Sequence, residues 1–411
     1  MATPQDLILL TGATGFIGSS VLPRLLRAGY HVRVAVRHEA DIATITSRPA
    51  IQALNPGPRL TFALVPSLCI PFAYESAAKG ATHIIHLASP VPSGGTKSPY
   101  PLADDYHDKT YFQPAILGTK NVLSAALYNT PTVRRVVIAS SLSALVPLAE
   151  LTGAEARNRH VTAADRILIP EGPFDSDYAA YAASKAAALV HADEWLRREQ
   201  PGFEVVFLHP GCVLGGHQGA ETVREMLEKG GNGVLVSLLM GREFGDDKKF
   251  VGVTAHVEDV AKAYVDALRV DMGVDEVGNE RRVRGFVLGK GMVWEEAKGV
   301  AEREFKGRFG RGMFVKTGRA KTARLEVETR ETEEVFGFEL KGLEEQVKSA
   351  VGQYLELNDR KVSERKQRKQ EVVVEKQEEQ AVVTQPRPAQ PQPKTSASYV
   401  SDSEAGWDFC G

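Results

Sequence analysis

The segment LILLTGATGFIGSSVLPRLLRAGY, residues 7–30, constrains the fold more than any other. Three glycines, Gly12, Gly15 and Gly18, stand three residues apart between an apolar run and an amphipathic one. Leu7 to Leu10 reads as a buried strand, and Phe16, Ile17, Val21, Leu22, Leu25 and Leu26 recur at helical spacing up to a stop at Gly29. The glycines therefore occupy a strand-to-helix turn. Such a turn presents free backbone N–H groups at a helix N-terminus, where the dipole favours an anion, and the missing Cβ atoms let a pyrophosphate come close. The first glycine makes the tight turn, the second admits the ligand and the third lets helix pack on strand. A glycine-rich turn without a ligand is the plain alternative, but the flanking strand and helix favour dinucleotide binding.

The pattern continues as alternating strands and helices. Strands are expected at His31–Arg37, Leu60–Val65, His83–Ser89, Arg135–Ser141 and Glu204–Pro210, with helices at Pro114–Leu127 and Tyr181–Glu199. This predicts an α/β chain: a Rossmann-type doubly wound parallel sheet, a smaller C-terminal substrate lobe and a disordered tail. The dinucleotide-binding domain is expected over 1–270, interrupted around 212–250 by substrate-lobe segments. Residues 271–357 supply the rest of that lobe, including the strand-like GFVLGK (285–290) and helices near Trp294–Lys306 and Leu343–Leu355. Thr254–Leu268 reads as a helix returning to the main domain. From Asn358 to 411 the chain turns charged and then Pro- and Gln-rich, with too few apolar residues to offset the entropy of ordering. Its first half is expected to be transiently helical, its second half extended and flexible, and the whole dispensable for folding.

A formal net charge of −2 offers no basic surface for nucleic acid or anionic membrane. Three cysteines, Cys69, Cys212 and Cys410, are widely spaced and odd in number, which fits a reducing compartment; with no signal-peptide pattern and no run of 18 apolar residues, a soluble cytoplasmic protein is expected. No metal is expected, because the ten histidines show no ligand spacing and His83 and His86 lie in a buried strand. Cys212 reads as a small packing residue and Asp259 as a capping or pairing group.

Among eleven tyrosines only Tyr181 has a lysine four residues on, in YAASK. On a helix i and i+4 share a face, so Tyr181 and Lys185 can reach one cleft, where the cation is expected to lower the phenol pKa and make Tyr181 a proton donor near neutral pH. Ser140 and Ser141 end a parallel strand at the edge where such sheets bind ligands; the plain alternative is a pair of turn-capping serines. At the end of the second strand VRVAVRHEAD offers Arg37 and His38 in place of the acid that would hold a ribose 2′-hydroxyl, although Glu39 and Asp41 follow closely. A planar guanidinium there suits a 2′-phosphate, so NADPH is expected in preference to NAD.

Together, TGATGFIG, VRVAVR, HLASP, PAILGTKNVL, RRVVIASS, YAASK, HPGCVLG and HVEDVA resemble the extended short-chain dehydrogenase/reductase family, in particular its dihydroflavonol-reductase-like ketone and aldehyde reductases, over most of residues 6–355. The resemblance implies that Gly12, Gly15 and Gly18, with Phe16 and Ile17 at the helix start, hold the pyrophosphate and that Leu87, Ala88 and Ser89 pass beneath the cofactor. It further implies that Ser141 orients a substrate carbonyl, Tyr181 supplies the proton, Lys185 also meets the nicotinamide ribose, and Pro210 and Val213 border the nicotinamide. Two positions depart from the family: Ser67 stands where an acid usually meets the adenine, and Val146 where plant dihydroflavonol reductases carry an Asn that grips the flavonoid. The expected protein is therefore an NADPH-dependent reductase of a small or medium carbonyl compound other than a flavonoid, acting as monomer or homodimer. The alternatives are a sugar-nucleotide epimerase or dehydratase and a non-catalytic dinucleotide-binding sensor.

Overall fold

The computed structural model describes residue 3 and residues 5–92, 105–129, 131–155, 160–274 and 280–383, with side chains through 371 apart from 366 and 369. The chain forms two compact units, Met1–Asp359 and Arg360–Gly411.

The core of the first unit is a seven-stranded, wholly parallel sheet. Its spatial order is Val283–Leu288, Glu204–Pro210, Arg135–Ala139, His83–His86, Leu7–Thr11, His31–Val36, Leu60–Leu64. The first strand lies inside the sheet, hydrogen-bonded to His83–His86 on one side and His31–Val36 on the other. Because helices cover both faces, the central strands are continuous apolar runs rather than alternating ones. Ile8 and Leu10 pack into one layer with the helices Phe16–Arg27 and Val257–Asp266. Leu9, with Ile84 and Val136, packs into the other, beneath Gln113–Tyr128 and Asp177–Glu199. Strand order reverses beside the first strand, which opens a crevice at the carboxyl ends of Leu7–Thr11 and His83–His86.

A second core gathers Met226, Leu235, Trp294, Phe314, Val347 and Tyr354. It is closed by a small sheet of Lys290–Gly291, Val253–His256 and Cys212–Leu214, and Trp294 donates its indole N–H to the Val251 carbonyl at 3.0 Å.

Three expectations from sequence are corrected. The Thr254–Leu268 helix begins only at Val257, because Thr254 to His256 pair with Cys212 to Leu214 and the His256 imidazole caps the helix by accepting from the Glu258 N–H at 3.1 Å. GFVLGK does not belong to the smaller lobe: Val283–Leu288 is the edge strand of the main sheet, where Phe286, Val287 and Leu288 are buried. Main-sheet structure therefore extends past 270; the polar approach to this strand conceals an apolar end that satisfies the open edge of Glu204–Pro210. Finally, the helix beginning at Leu343 runs to Val383, across the expected start of a disordered tail at Asn358. Among the described side chains its buried positions end at Leu357, and beyond them Glu, Lys, Arg and Gln supply intrinsic helix propensity without a core. Residues 384–411, expected to be extended and flexible, lie outside the described residues.

Candidate active site

The glycine turn sits at the crevice where strand order reverses. Gly12 has φ +74°, and a Cβ on it would stand 2.8 Å from the Ala88 nitrogen; a Cβ on Gly18 would lie 2.1 Å from the Gly12 carbonyl oxygen. Both positions are closed by the protein's own backbone. Gly15 differs: its Cβ would meet only the Gly12 oxygen, at 3.3 Å, and otherwise open space. Gly15 is also the N-cap of the first helix, with no side-chain cap and no acid in the first turn, so the N–H groups of Phe16, Ile17 and Gly18 and the helix dipole are left for an anion. The turn thus has the form that a pyrophosphate requires.

Two residues that sequence reasoning missed hold this turn in place. The Thr11 hydroxyl accepts the N–H groups of Leu87 and Ala88, each at 3.1 Å, and lies 2.9 Å from His86 Nδ1. Burial pushes the His86 pKa down to about 3, so its ring is neutral; Thr11 donates to Nδ1 and the ring proton resides on Nε2. This arrangement ends the His83 strand at His86, three residues short of expectation, and turns Leu87, Ala88 and Ser89 across the crevice. Beneath the glycine turn, the buried Arg48 donates to the carbonyls of Ala13 at 2.9 Å and Thr14 at 3.4 Å. No motif marks Arg48, since its partners lie more than 30 residues away.

Ser141, Tyr181 and Lys185 come together on the opposite wall. Ser176 caps the tyrosine helix by accepting from Ala179 N–H at 3.2 Å, so that helix starts at Asp177, one turn before expectation, and Tyr181 stands in its second turn. Its alanines, among them Ala179, Ala180, Ala182, Ala183 and Ala186, are buried and keep the helix close to its neighbours. Ser141 Oγ accepts the Ser143 N–H at 3.1 Å, as the capping alternative requires, and it also lies beside the Tyr181 phenol, whose pKa it lowers. The hydroxyl performs both tasks, because accepting from Ser143 leaves its own proton free to donate. Lys185 Nζ donates to Ser89 Oγ at 2.9 Å and shares a pocket with His86, Ala88 and Ser140.

The electrostatics correct one expectation. Burial, followed by the neighbouring Tyr178, holds the Tyr181 phenol above its ordinary pKa despite Ser141. Lys185 does not lower it: Nζ lies 5.6 Å from the centre of the phenol ring and is turned toward Ser89, and burial brings its own pKa down to about 8. Tyr181 is therefore a neutral phenol, able to donate, over the whole physiological range.

Pro210 ends its strand opposite Leu288, and Val213 accepts from Gly231 N–H at 2.9 Å. Gly230 separates Val213 from Phe16: a Cβ there would lie 2.4 Å from the Val213 oxygen and 2.8 Å from the Phe16 ring, so the glycine turn and the HPGCVLG segment meet. Arg37 is exposed just past the second strand, and Asp41 is turned back onto the loop, accepting the His38 N–H at 3.1 Å. Burial pushes the Cys212 thiol up to about 12, which makes it a packing group. Asp259 is buried and pairs with Lys341, tying the returning helix to the start of the C-terminal one. Ser67 accepts the Cys69 N–H in a local turn at 3.3 Å, and Val146 is fully buried, so neither extends an acid or an amide into the crevice. Among the described residues no helix is long and apolar enough to cross a membrane, and no three His, Cys, Asp or Glu side chains are grouped to hold a metal.

Residues 8–277 match the NAD dependent epimerase/dehydratase family. The chain belongs to that family. It is 33% identical to Ketoreductase CTB6 of Cercospora nicotianae over 361 residues, 87% of this chain and 97% of the relative. Aldehyde reductase 2 of Sporidiobolus salmonicolor is 32% identical over 214 residues, covering 51% of this chain and 58% of that protein. In architecture the chain is similar to yeast methylglyoxal/isovaleraldehyde reductase Gre2 complexed with NADPH, with a TM-score of 0.64 and 19% identity over 86% of this chain and 99% of that one.

Proposed function

We propose that this family member is an NADPH-dependent carbonyl reductase. The observation that carries the reading is the meeting of Ser141, the neutral Tyr181 phenol and Lys185 across the crevice from the glycine turn. The names of its relatives, ketoreductase and aldehyde reductase, support the same reaction class. When bound, a nicotinamide dinucleotide supplies the hydride. Gly12, Gly15, Phe16, Ile17 and Gly18 would hold its pyrophosphate, Leu87 to Ser89 would lie beneath it, Pro210 and Val213 would border its nicotinamide, and Arg37 would meet the 2′-phosphate.

Ser141 donates a hydrogen bond to the substrate carbonyl oxygen and fixes its position. Tyr181 delivers its phenolic proton to that oxygen as it becomes an alkoxide. The phenolate left behind is costly in so buried a place, and the hydrogen bond from the Ser141 hydroxyl offsets part of that cost. Loss of NADPH absorbance on addition of a ketone or aldehyde tests the reading, with sugar nucleotides as the competing substrate class. Tyr181→Phe is expected to keep NADPH affinity and to lose at least about a hundredfold in turnover, within the contribution of general acid catalysis. A variant that turns over at the wild-type rate would remove Tyr181 from the acid's role.

A further inference from the structure

The first turns of the helix Asp177–Glu199 are built mostly of small residues: Ala179, Ala180, Ala182 and Ala183 are buried against neighbouring elements. Two large side chains interrupt them. Tyr178 and Tyr181 stand three residues apart and so share a face of the helix. Their ring centres lie 6.4 Å apart, with the ring planes tilted by 33°. Tyr181 has a part in the reaction proposed above, and Tyr178 has none.

The two ends of the Tyr178 side chain are treated differently. Its hydroxyl is enclosed: burial pushes the phenol pKa up to about 12, the Ser143 hydroxyl opposes the rise by donating a hydrogen bond to the phenol oxygen, and the nearby Cys212 thiol adds to it. The residue as a whole is nevertheless 38% exposed, so solvent reaches the ring rather than the hydroxyl. The anchor belongs to the site itself, because Ser143 N–H donates to Ser141 Oγ at 3.1 Å. Tyr178 is therefore bracketed by the serines at the end of Arg135–Ala139, by Tyr181, and by the start of the Cys212–Leu214 strand. A phenol pinned at its hydroxyl and open along its ring has little freedom left to lose when a flat ligand packs against it.

We propose that Tyr178 is a specificity-determining residue whose ring forms a stacking platform for the group beside the reacting carbonyl, which makes aryl ketones and aryl aldehydes, with the aromatic ring joined directly to the carbonyl carbon, the substrate class of this site. The proposal rests on the reductase reading above. A carbonyl oxygen held by Ser141 and Tyr181 brings its substituent alongside the neighbouring tyrosine on the same helix face. Offset-stacked and edge-on aromatic pairs place their centres about 4.5–7 Å apart, so a ring one bond from the carbonyl falls within reach of Tyr178, whereas a saturated ring of the same size gains only its area.

The test follows NADPH absorbance with paired carbonyl compounds of the same carbon skeleton: acetophenone with cyclohexyl methyl ketone, and benzaldehyde with cyclohexanecarbaldehyde. In wild type the aryl member of each pair is expected to have the lower KM. Tyr178→Leu is expected to lower the aryl-to-saturated ratio of kcat/KM by roughly three- to tenfold, the range for one aromatic pair, with the loss in KM rather than kcat. Tyr178→Phe keeps the ring and is expected to hold the ratio within about twofold of wild type, and both variants should melt near the wild-type temperature. Equal KM values within the pairs in wild type overturn the proposal, whatever the variants do. An unchanged ratio in folded Tyr178→Leu, or an equal fall in both variants, overturns it too. Turnover of the saturated compounds alone overturns the proposal and leaves the reductase reading standing, whereas absence of NADPH oxidation with every carbonyl compound overturns both.

Discussion

Alanine at Gly15 and alanine at Gly18 should fail in opposite ways, although the two residues belong to the same motif. At Gly18 the new Cβ would lie 2.1 Å from the Gly12 oxygen and 2.8 Å from Ala13 Cα. That oxygen cannot retreat freely, because it accepts the Gly15 N–H at 3.1 Å, and both clashing atoms are backbone. Forced overpacking of this kind costs about 1–3 kcal/mol, and with no flexible side chain to yield, the upper end or beyond applies. At Gly15 the backbone, φ −79° and ψ 176°, suits alanine, and the only close neighbour is at 3.3 Å. Losing glycine at an N-cap costs a few tenths to about 1 kcal/mol, which the reduced entropy of the unfolded chain largely offsets. Gly15→Ala should therefore be within about 1 kcal/mol of wild type in stability. Its methyl instead occupies the side from which a pyrophosphate approaches. Displacing the anion from one charge-assisted N–H bond, about 1.5–3 kcal/mol, weakens NADPH by roughly ten- to a hundredfold. Urea unfolding followed by circular dichroism reads the first quantity, and NADPH fluorescence titration the second. Wild-type NADPH affinity in Gly15→Ala, or equal destabilisation by both substitutions, would refute the assignment of Gly15 as the open face of the turn.

Arg37→Ala should weaken NADPH by about 1.5–3 kcal/mol, the range for a hydrogen bond to a charged group, and leave NADH nearly unchanged; equal losses for both coenzymes would show that Arg37 does not meet the 2′-phosphate. For Lys185, burial lowers the folded pKa to about 8 from the ordinary lysine value of 10.5, so between these pH values the unfolded chain binds more protons and stability rises with pH. The penalty for burying the charge, about 3 kcal/mol by the size of the shift, is present in full below about pH 8. Wild type should therefore gain stability relative to Lys185→Met as pH climbs through this window, as followed by urea unfolding, and a pH-independent difference would contradict the buried charge.

What the sequence alone determined is local. The strand, glycine turn and first helix follow from periodicity and backbone sterics within about twenty residues, and the order of strands and helices limits the topology to a few choices. Tyr181 and Lys185 were legible because a helix sets their spacing, and Ser141 because parallel strands end where ligands bind. Tertiary structure decided what depends on residues far apart in the chain. The open edge of Glu204–Pro210 claimed Val283–Leu288 for the main sheet, although that strand's polar approach resembled a lobe segment. Thr11 met His86 and Arg48 met Ala13 across gaps that no pattern marks. The sign of the Tyr181 shift also escaped the helix argument: spacing put an ammonium near the phenol, but packing turned it toward Ser89 and withdrew the hydroxyl from water. Periodicity records which face of an element is buried, whereas desolvation depends on every atom that surrounds a group, and those atoms are assembled only by the fold.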